Sequence, residues 1–178
     1  MVDLVEIQAA YYMVAATGVL VAAIYYIINL RTSQKNMRIT LTNNLMQSQL
    51  SEESWRKWIE LMNMEWKNYD DFEKKYGSDY NPDNFSKRMN LWHSYNSLGN
   101  LLRSGLADRD TLYNVGLRST VWLWVKFKPV IEENRRRYGD KTAFSGFEYL
   151  ATEMMKMARQ KDPSYKIPET FTKYVHDN

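Results

Sequence analysis

The chain has 178 residues, no cysteine, two histidines and a formal net charge of +3. Without cysteine there is no disulfide, no thiolate-held zinc or iron–sulfur cluster and no thiol nucleophile, and so small a charge does not mark a nucleic-acid protein. The charge is unevenly spread: residues 51–81 carry eight acids against five bases, and residues 118–138 carry six bases against two acids.

The first element is a run from Ile7 to Leu30, 24 residues without a charged side chain. As a helix it extends about 36 Å, enough to cross a hydrocarbon core of about 30 Å with some tilt. A cleaved signal peptide has a basic leading region and a shorter apolar core, whereas Asp3 and Glu6 precede this run. A retained anchor is therefore expected, with Tyr11, Tyr12, Tyr25 and Tyr26 near the two interfaces, where aromatic belts lie. Arg31, Lys35 and Arg38 follow with no acid before residue 51. The positive-inside rule then puts the N-terminus outside and the rest in the cytoplasm of a single-pass cell-membrane protein. The expected organisation is an extracytoplasmic N-terminus (1–6), a transmembrane helix (7–30), a basic juxtamembrane helical stalk (31–50), a cytoplasmic helical domain (51–161) and an irregular C-terminal tail (162–178).

Gln8, Tyr11, Ala15, Gly18, Ala22, Tyr25 and Asn29 recur at alternating steps of three and four along the run. Small and polar residues at this repeat let two helices approach closely and hydrogen-bond across the contact. This face is the candidate association surface, with a second copy or another membrane protein as partner.

The remaining elements read as helices. Ser51 is an N-cap, followed by Glu52 and Glu53 where the helix dipole favours acids. The pattern predicts one helix to Gly77, with Trp55, Ile59, Met62, Trp66, Tyr69 and Tyr76 on its apolar stripe. Asn81-Pro82 opens the next helix, with Phe85, Met89, Trp92, Gly99 and Leu102 at helical spacing and an end near Gly105. Asp108 or Asp110 caps a further helix that offers Leu117, Val121, Trp124, Val125, Ile131 and Tyr138 to the core. Pro129 is expected to kink or break it, and Gly139 to end it. A helix from about Thr142 to Gln160 turns Phe144, Phe147, Ala151, Met154 and Ala158 inward. Pro163 and Pro168 mark the tail, with a short helix near Thr170 to Val175. No segment alternates apolar and polar residues for long enough to argue a strand. The predicted fold is all-α: one transmembrane helix continuing into a stalk, then a bundle of about four to five helices.

Three stretches carry a resemblance: Tyr25-Tyr26-Ile27-Ile28-Asn29-Leu30-Arg31, the segment from Trp122 and Trp124 through Pro129 to Arg135-Arg136-Arg137-Tyr138, and Phe147-Glu148-Tyr149-Leu150. In layout the chain resembles a family of small prokaryotic proteins with one N-terminal span and a Trp-rich cytoplasmic helical domain, catalogued as a domain of unknown function. The resemblance implies topology and no activity.

The chain lacks the phosphate-binding glycine loop, the dinucleotide fingerprint and the nucleophile elbow. His93 and His176 have no partner at Glu-x-x-His or His-x-x-x-His spacing, so neither a metal nor a cofactor is expected. Glu52/Glu53, Asp70/Asp71 and Glu132/Glu133 are sequence neighbours, which diverge on a helix. Arg88 and His93 form an Arg-x-x-x-x-His pattern similar to the motif of a helical ribonuclease superfamily. There the Arg holds phosphate and the His does acid–base work, although Met89 stands where that family has a polar residue. Arg135, Arg136 and Arg137 form the densest basic cluster. With Arg31, Lys35 and Arg38 they are candidates for anionic lipid or an acidic partner. The expectation is a non-catalytic interaction or accessory subunit at the bilayer. A membrane-tethered ribonuclease-like effector and an anionic-lipid-binding domain are the alternatives.

Overall fold

A computed structural model describes residues 3–172. All of the regular structure among them is helical, in eight helices: α1 Leu4–Leu50, α2 Glu52–Met62, α3 Tyr69–Tyr76, α4 Pro82–Arg103, α5 Arg109–Asn114, α6 Ser119–Tyr138, α7 Ser145–Lys161 and α8 Glu169–Thr172. The chain divides into two compact units, Met1–Leu41 and Thr42–Asn178, so the boundary falls inside the expected stalk.

In the first unit, every described residue from 3 to 40 is exposed. Residues Leu4–Thr40 are long and apolar enough to cross a membrane, and none of the apolar window is buried.

The second unit is built on two layers of capping and packing. The caps read from the sequence are in place. Ser51 accepts from the Ser54 amide at 3.2 Å, Asn81 from the Asn84 amide at 3.1 Å and Asp108 from the Thr111 amide at 2.7 Å. Each such cap stabilises its helix by about 1 kcal/mol. Gly139 closes α6 in the left-handed region, φ 70°, which glycine adopts without a Cβ penalty. α4 packs against α2, α3 and α7, and α6 against α2, α7 and α8. Between them lie Phe72, Leu91, Trp92, Leu98, Leu123, Phe127, Ile131, Phe147, Leu150 and Met154, all fully buried. Burying a side chain of this size contributes about 1.5–3 kcal/mol.

α7 starts in an unusual way. Its N-cap residue, Phe144, has no side-chain acceptor to offer. Asn96 of α4 supplies one instead: its Oδ1 accepts from the amides of Gly146 at 2.9 Å and Phe147 at 3.2 Å. The two helices therefore meet end-on-flank, at a point where both carry glycine.

The structure corrects several expectations. The helix expected from Ser51 to Gly77 is two, α2 and α3, because Asn68 starts a new cap by accepting from the Asp71 amide at 2.9 Å. Lys126 of α6 is buried, and its Nζ donates to the Met62 and Met64 carbonyls at the end of α2. α2 buries Ser54 and Leu61, so Trp55 and Ile59 stay 40% and 52% exposed. The helix expected from Asp108 is likewise divided, at Gly116, φ 92°. Tyr138 is 75% exposed rather than in the core. Pro129 does not end α6. A proline inside a helix costs about 3 kcal/mol, but its neighbours Phe127, Val130 and Ile131 are buried, and three such side chains outweigh it. The end of the expected last helix, and His176, lie outside the described residues.

Candidate functional site

The residues expected to form an association face lie on α1. Gln8, Tyr11, Ala15, Gly18, Ala22, Tyr25 and Asn29 are all exposed. Steps of three and four hold them to one side, drifting by about 20° per heptad on a straight helix. Arg31, Lys35 and Arg38, also exposed, share a side of their own. At 100° per residue it lies roughly opposite the association face. The two sets of residues therefore occupy different sides of α1.

The basic cluster at the end of α6 is not a free cationic surface. Arg135 donates from Nε to the Ala143 carbonyl at 2.9 Å and from Nη2 to Glu148 at 2.8 Å, joining α6 to α7. Arg136 is bound by Glu133 through two hydrogen bonds, at 2.7 and 2.6 Å. Arg137 donates to Glu133 at 2.7 Å and to Asp70 at 2.8 Å, and its guanidinium carbon lies 4.2 Å from the centre of the Tyr69 ring. Arg136 first and Arg137 second hold the Glu133 carboxyl down at about 2. Glu133 in turn raises both guanidinium groups. Each of the three arginines thus has a carboxylate partner, with Glu133 shared between Arg136 and Arg137.

Arg88 and His93 are not brought together. Five residues apart on a helix, they point about 140° from one another. Arg88 is 2% exposed, with its guanidinium carbon 4.4 Å from the Phe72 ring centre, 5.2 Å from Phe85 and 5.3 Å from Trp92. Burial pushes it down to about 10, opposed by the nearby Glu73 charge, so it remains a cation at neutral pH. His93 is exposed, its ring 5.1 Å from that of Phe144.

Sequence reasoning missed this aromatic enclosure. Its signal was present: Asn84, Arg88, Leu91, Trp92, Tyr95, Leu98, Gly99 and Leu102 share the buried face of α4, and the period alone places Arg88 among them. A second missed feature is a row of rings. Trp55 and Trp58 of α2 are 5.7 Å apart, Trp58 and Trp122 of α6 6.3 Å, and Trp122 stacks on Phe171 at 5.5 Å. On the outer side of α4 an open groove of about 640 Å³ is lined by Phe85, Ser86, Met89, Asn90, His93 and Ser97. Among the described residues no group of three His, Asp or Glu side chains is placed to hold a metal ion.

An exposed apolar helix followed by an all-helical domain defines the class to which this chain conforms. It belongs to the family described as Domain of unknown function (DUF4760), whose model matches residues 13–154. The match starts within the apolar part of α1 and ends in α7, so the apolar helix and the domain are parts of one family unit. No curated protein and no solved structure matches the chain.

Proposed function

We propose that this chain is a single-pass, membrane-anchored interaction subunit without catalytic activity, its N-terminus outside and its helical domain in the cytoplasm. The observation that carries this reading is the exposure of every described residue from 3 to 40 on a helix that includes an uncharged run of 24. Lipid is the surrounding that removes that apolar surface from water. The basic flank from Arg31 to Arg38 supports the orientation. The face through Gly18 and Ala22 supports assembly within the bilayer, with a second copy or a membrane-protein partner. Trp55 and Ile59, exposed one turn apart on α2, add an apolar contact for a cytoplasmic partner.

The test is extraction of the full-length chain. It should sediment with membranes, resist carbonate washing, and come out in mild detergent with itself or one stoichiometric partner. Recovery in the soluble fraction after lysis without surfactant overturns the reading. So does RNA cleavage by the purified chain that an Arg88→Ala/His93→Ala double variant abolishes. The divergence of Arg88 and His93 runs against that second activity, and the internal pairing of Arg135, Arg136 and Arg137 runs against a purely lipid-binding role.

A further inference from the structure

The segment that follows α7 is held by side chains and not by its backbone. Residues 162–172 bring α8 against α6, and none of them is fully buried. Beyond Asp162 the backbone hydrogen bonds stay inside the segment, from Tyr165 to Asp162 and from Phe171 to Pro168, both 3.0 Å. Among the described residues one hydrogen bond leaves it: the Trp122 indole Nε1 donates to Tyr165 Oη at 3.0 Å. Phe171 stacks on the same tryptophan, with ring centres 5.5 Å apart and planes 24° from parallel. Tyr165 and Ile167 rest half-buried on the core. Pro163 and Pro168 fix φ along this strap, which lowers the entropy lost when it docks.

The surface under the strap is longer than its cover. From Trp122 the rings continue through Trp58 to Trp55, and Trp55 stands 40% exposed. All three tryptophans lie within residues 13–154, the part of the chain that the family model matches, whereas Tyr165 and Phe171 lie beyond it. Aromatic-lined surfaces take up proline-containing segments, and tryptophan is among the residues that dominate protein contacts. The strap shows what such a ligand looks like here. It presents a phenol oxygen to the Trp122 N–H and a second ring to the Trp122 face, on a backbone stiffened by proline.

We propose that the strap is a self-ligand, covering a docking surface for a partner protein's segment of the same chemistry: proline-containing, with a tyrosine and a second aromatic ring. The partner displaces the strap because it also covers Trp55. The inference deepens the reading as an interaction subunit and needs no bilayer. A chain recovered in the soluble fraction leaves the peptide assay standing, and a failed peptide assay leaves membrane extraction untouched.

The probe is a synthetic peptide of residues 162–172 with blocked ends, added to the full-length chain in micelles of an uncharged detergent. Tyr165→Ala/Phe171→Ala removes both ring contacts of the strap and no fully buried side chain. In this variant the indole ¹⁵N–¹H signal of Trp122, assigned by its loss in Trp122→Phe, should shift, and the peptide should return it saturably toward its natural position. A strap tethered this closely acts at an effective concentration on the order of 1 mM, so a segment that stays docked in cis should saturate in trans below about 1 mM. The natural chain, its surface occupied, should bind the peptide at least tenfold more weakly. A peptide carrying Phe171→Ala should lose at least tenfold in affinity for the double variant. No saturable movement in the double variant, or equal affinity for the two chains, overturns the proposal. If the double variant loses its helix content, Phe171→Ala alone carries the same test. Exchange of straps between two copies is a different occupant, and it makes self-association depend on Phe171. A Phe171→Ala chain should keep the natural oligomeric state, and loss of that state overturns the assignment to a partner protein.

Discussion

Gly99 of α4 and Gly146 of α7 meet backbone to backbone, so closely that a methyl group on Gly99 would overlap the Gly146 carbonyl. A methyl group on Gly146 would in turn meet the Asn96 carbonyl. The same crossing places Asn96 within reach of the first amides of α7. Close approach and capping therefore occur at one crossing of α4 and α7.

Gly99→Ala forces α4 and α7 apart and strains the cap. Overpacking of a tight contact costs about 1–3 kcal/mol, occasionally more, and the obstructing atoms here are backbone. A loss of about 3 kcal/mol is expected, read as a lower urea midpoint of the full-length chain in micelles. Asn96→Ala should cost about 1 kcal/mol, the usual worth of a cap. An unshifted midpoint for Gly99→Ala contradicts the packing described.

Lys126 ties α6 to the end of α2. Lys126→Met keeps the stem but leaves the Met62 and Met64 carbonyls without its Nζ. Losing hydrogen bonds from a charged donor costs about 1.5–3 kcal/mol each, offset in part by relief from burying an ammonium group. The net expectation is a loss of about 2 kcal/mol. Hydrogen exchange should rise first at the last turn of α2, and uniform protection across the domain would contradict the tie.

Glu133 gives a pH signature. Its folded carboxyl sits at about 2, against an ordinary 4.5. Between those values the unfolded chain binds the proton and the folded chain does not, so stability falls as pH falls through this window. Above about 4.5 the contribution is fully present. Urea midpoints of the natural chain and of Glu133→Gln should differ at pH 6 and converge as the pH approaches 2. The group is exposed, so the difference should also shrink in high salt. A difference that stays constant with pH would falsify this assignment.

Gly18 separates folding from assembly. A Cβ added there has nothing within 4 Å in the single chain, so Gly18→Ile leaves the helix room to form. Its bulk falls where a neighbouring helix would approach. The oligomer population, or recovery of the membrane partner, should drop severalfold, with helix content by circular dichroism unchanged. Equal assembly would show that this face of α1 is idle.

Much of the fold was legible because its punctuation is chemical. Ser51, Asn81-Pro82, Asp108, Gly77 and Gly139 each stop or start a helix where read. The division of α2 from α3 was not legible in the same way. No glycine or proline marks it, and the stripe of apolar letters Met62, Trp66 and Tyr69 continues across it past Asn63 and Asn68. That stripe was itself misplaced: Trp55 and Ile59 have the right spacing, but the neighbouring Ser54–Leu61 side of α2 is the one buried. Large apolar letters on an amphipathic helix do not say which of two adjacent stripes meets the core. Arg88 fails in the opposite direction, where a charged letter hid a position that the 3.6-residue period puts inside. The groove beside it depends on how Phe85 and His93 stand in space, and no local pattern encodes that.

The ring row from Trp55 through Trp58 and Trp122 to Phe171 has an optical consequence. Indoles at such separations share electronic excitation, so the near-ultraviolet dichroism of this chain carries a signal from the seam where α2, α6 and the segment after α7 adjoin. Detachment of α2 from α6 dims that signal while the helices themselves stay formed. The molecule thus carries a built-in gauge of partial opening, readable without a label.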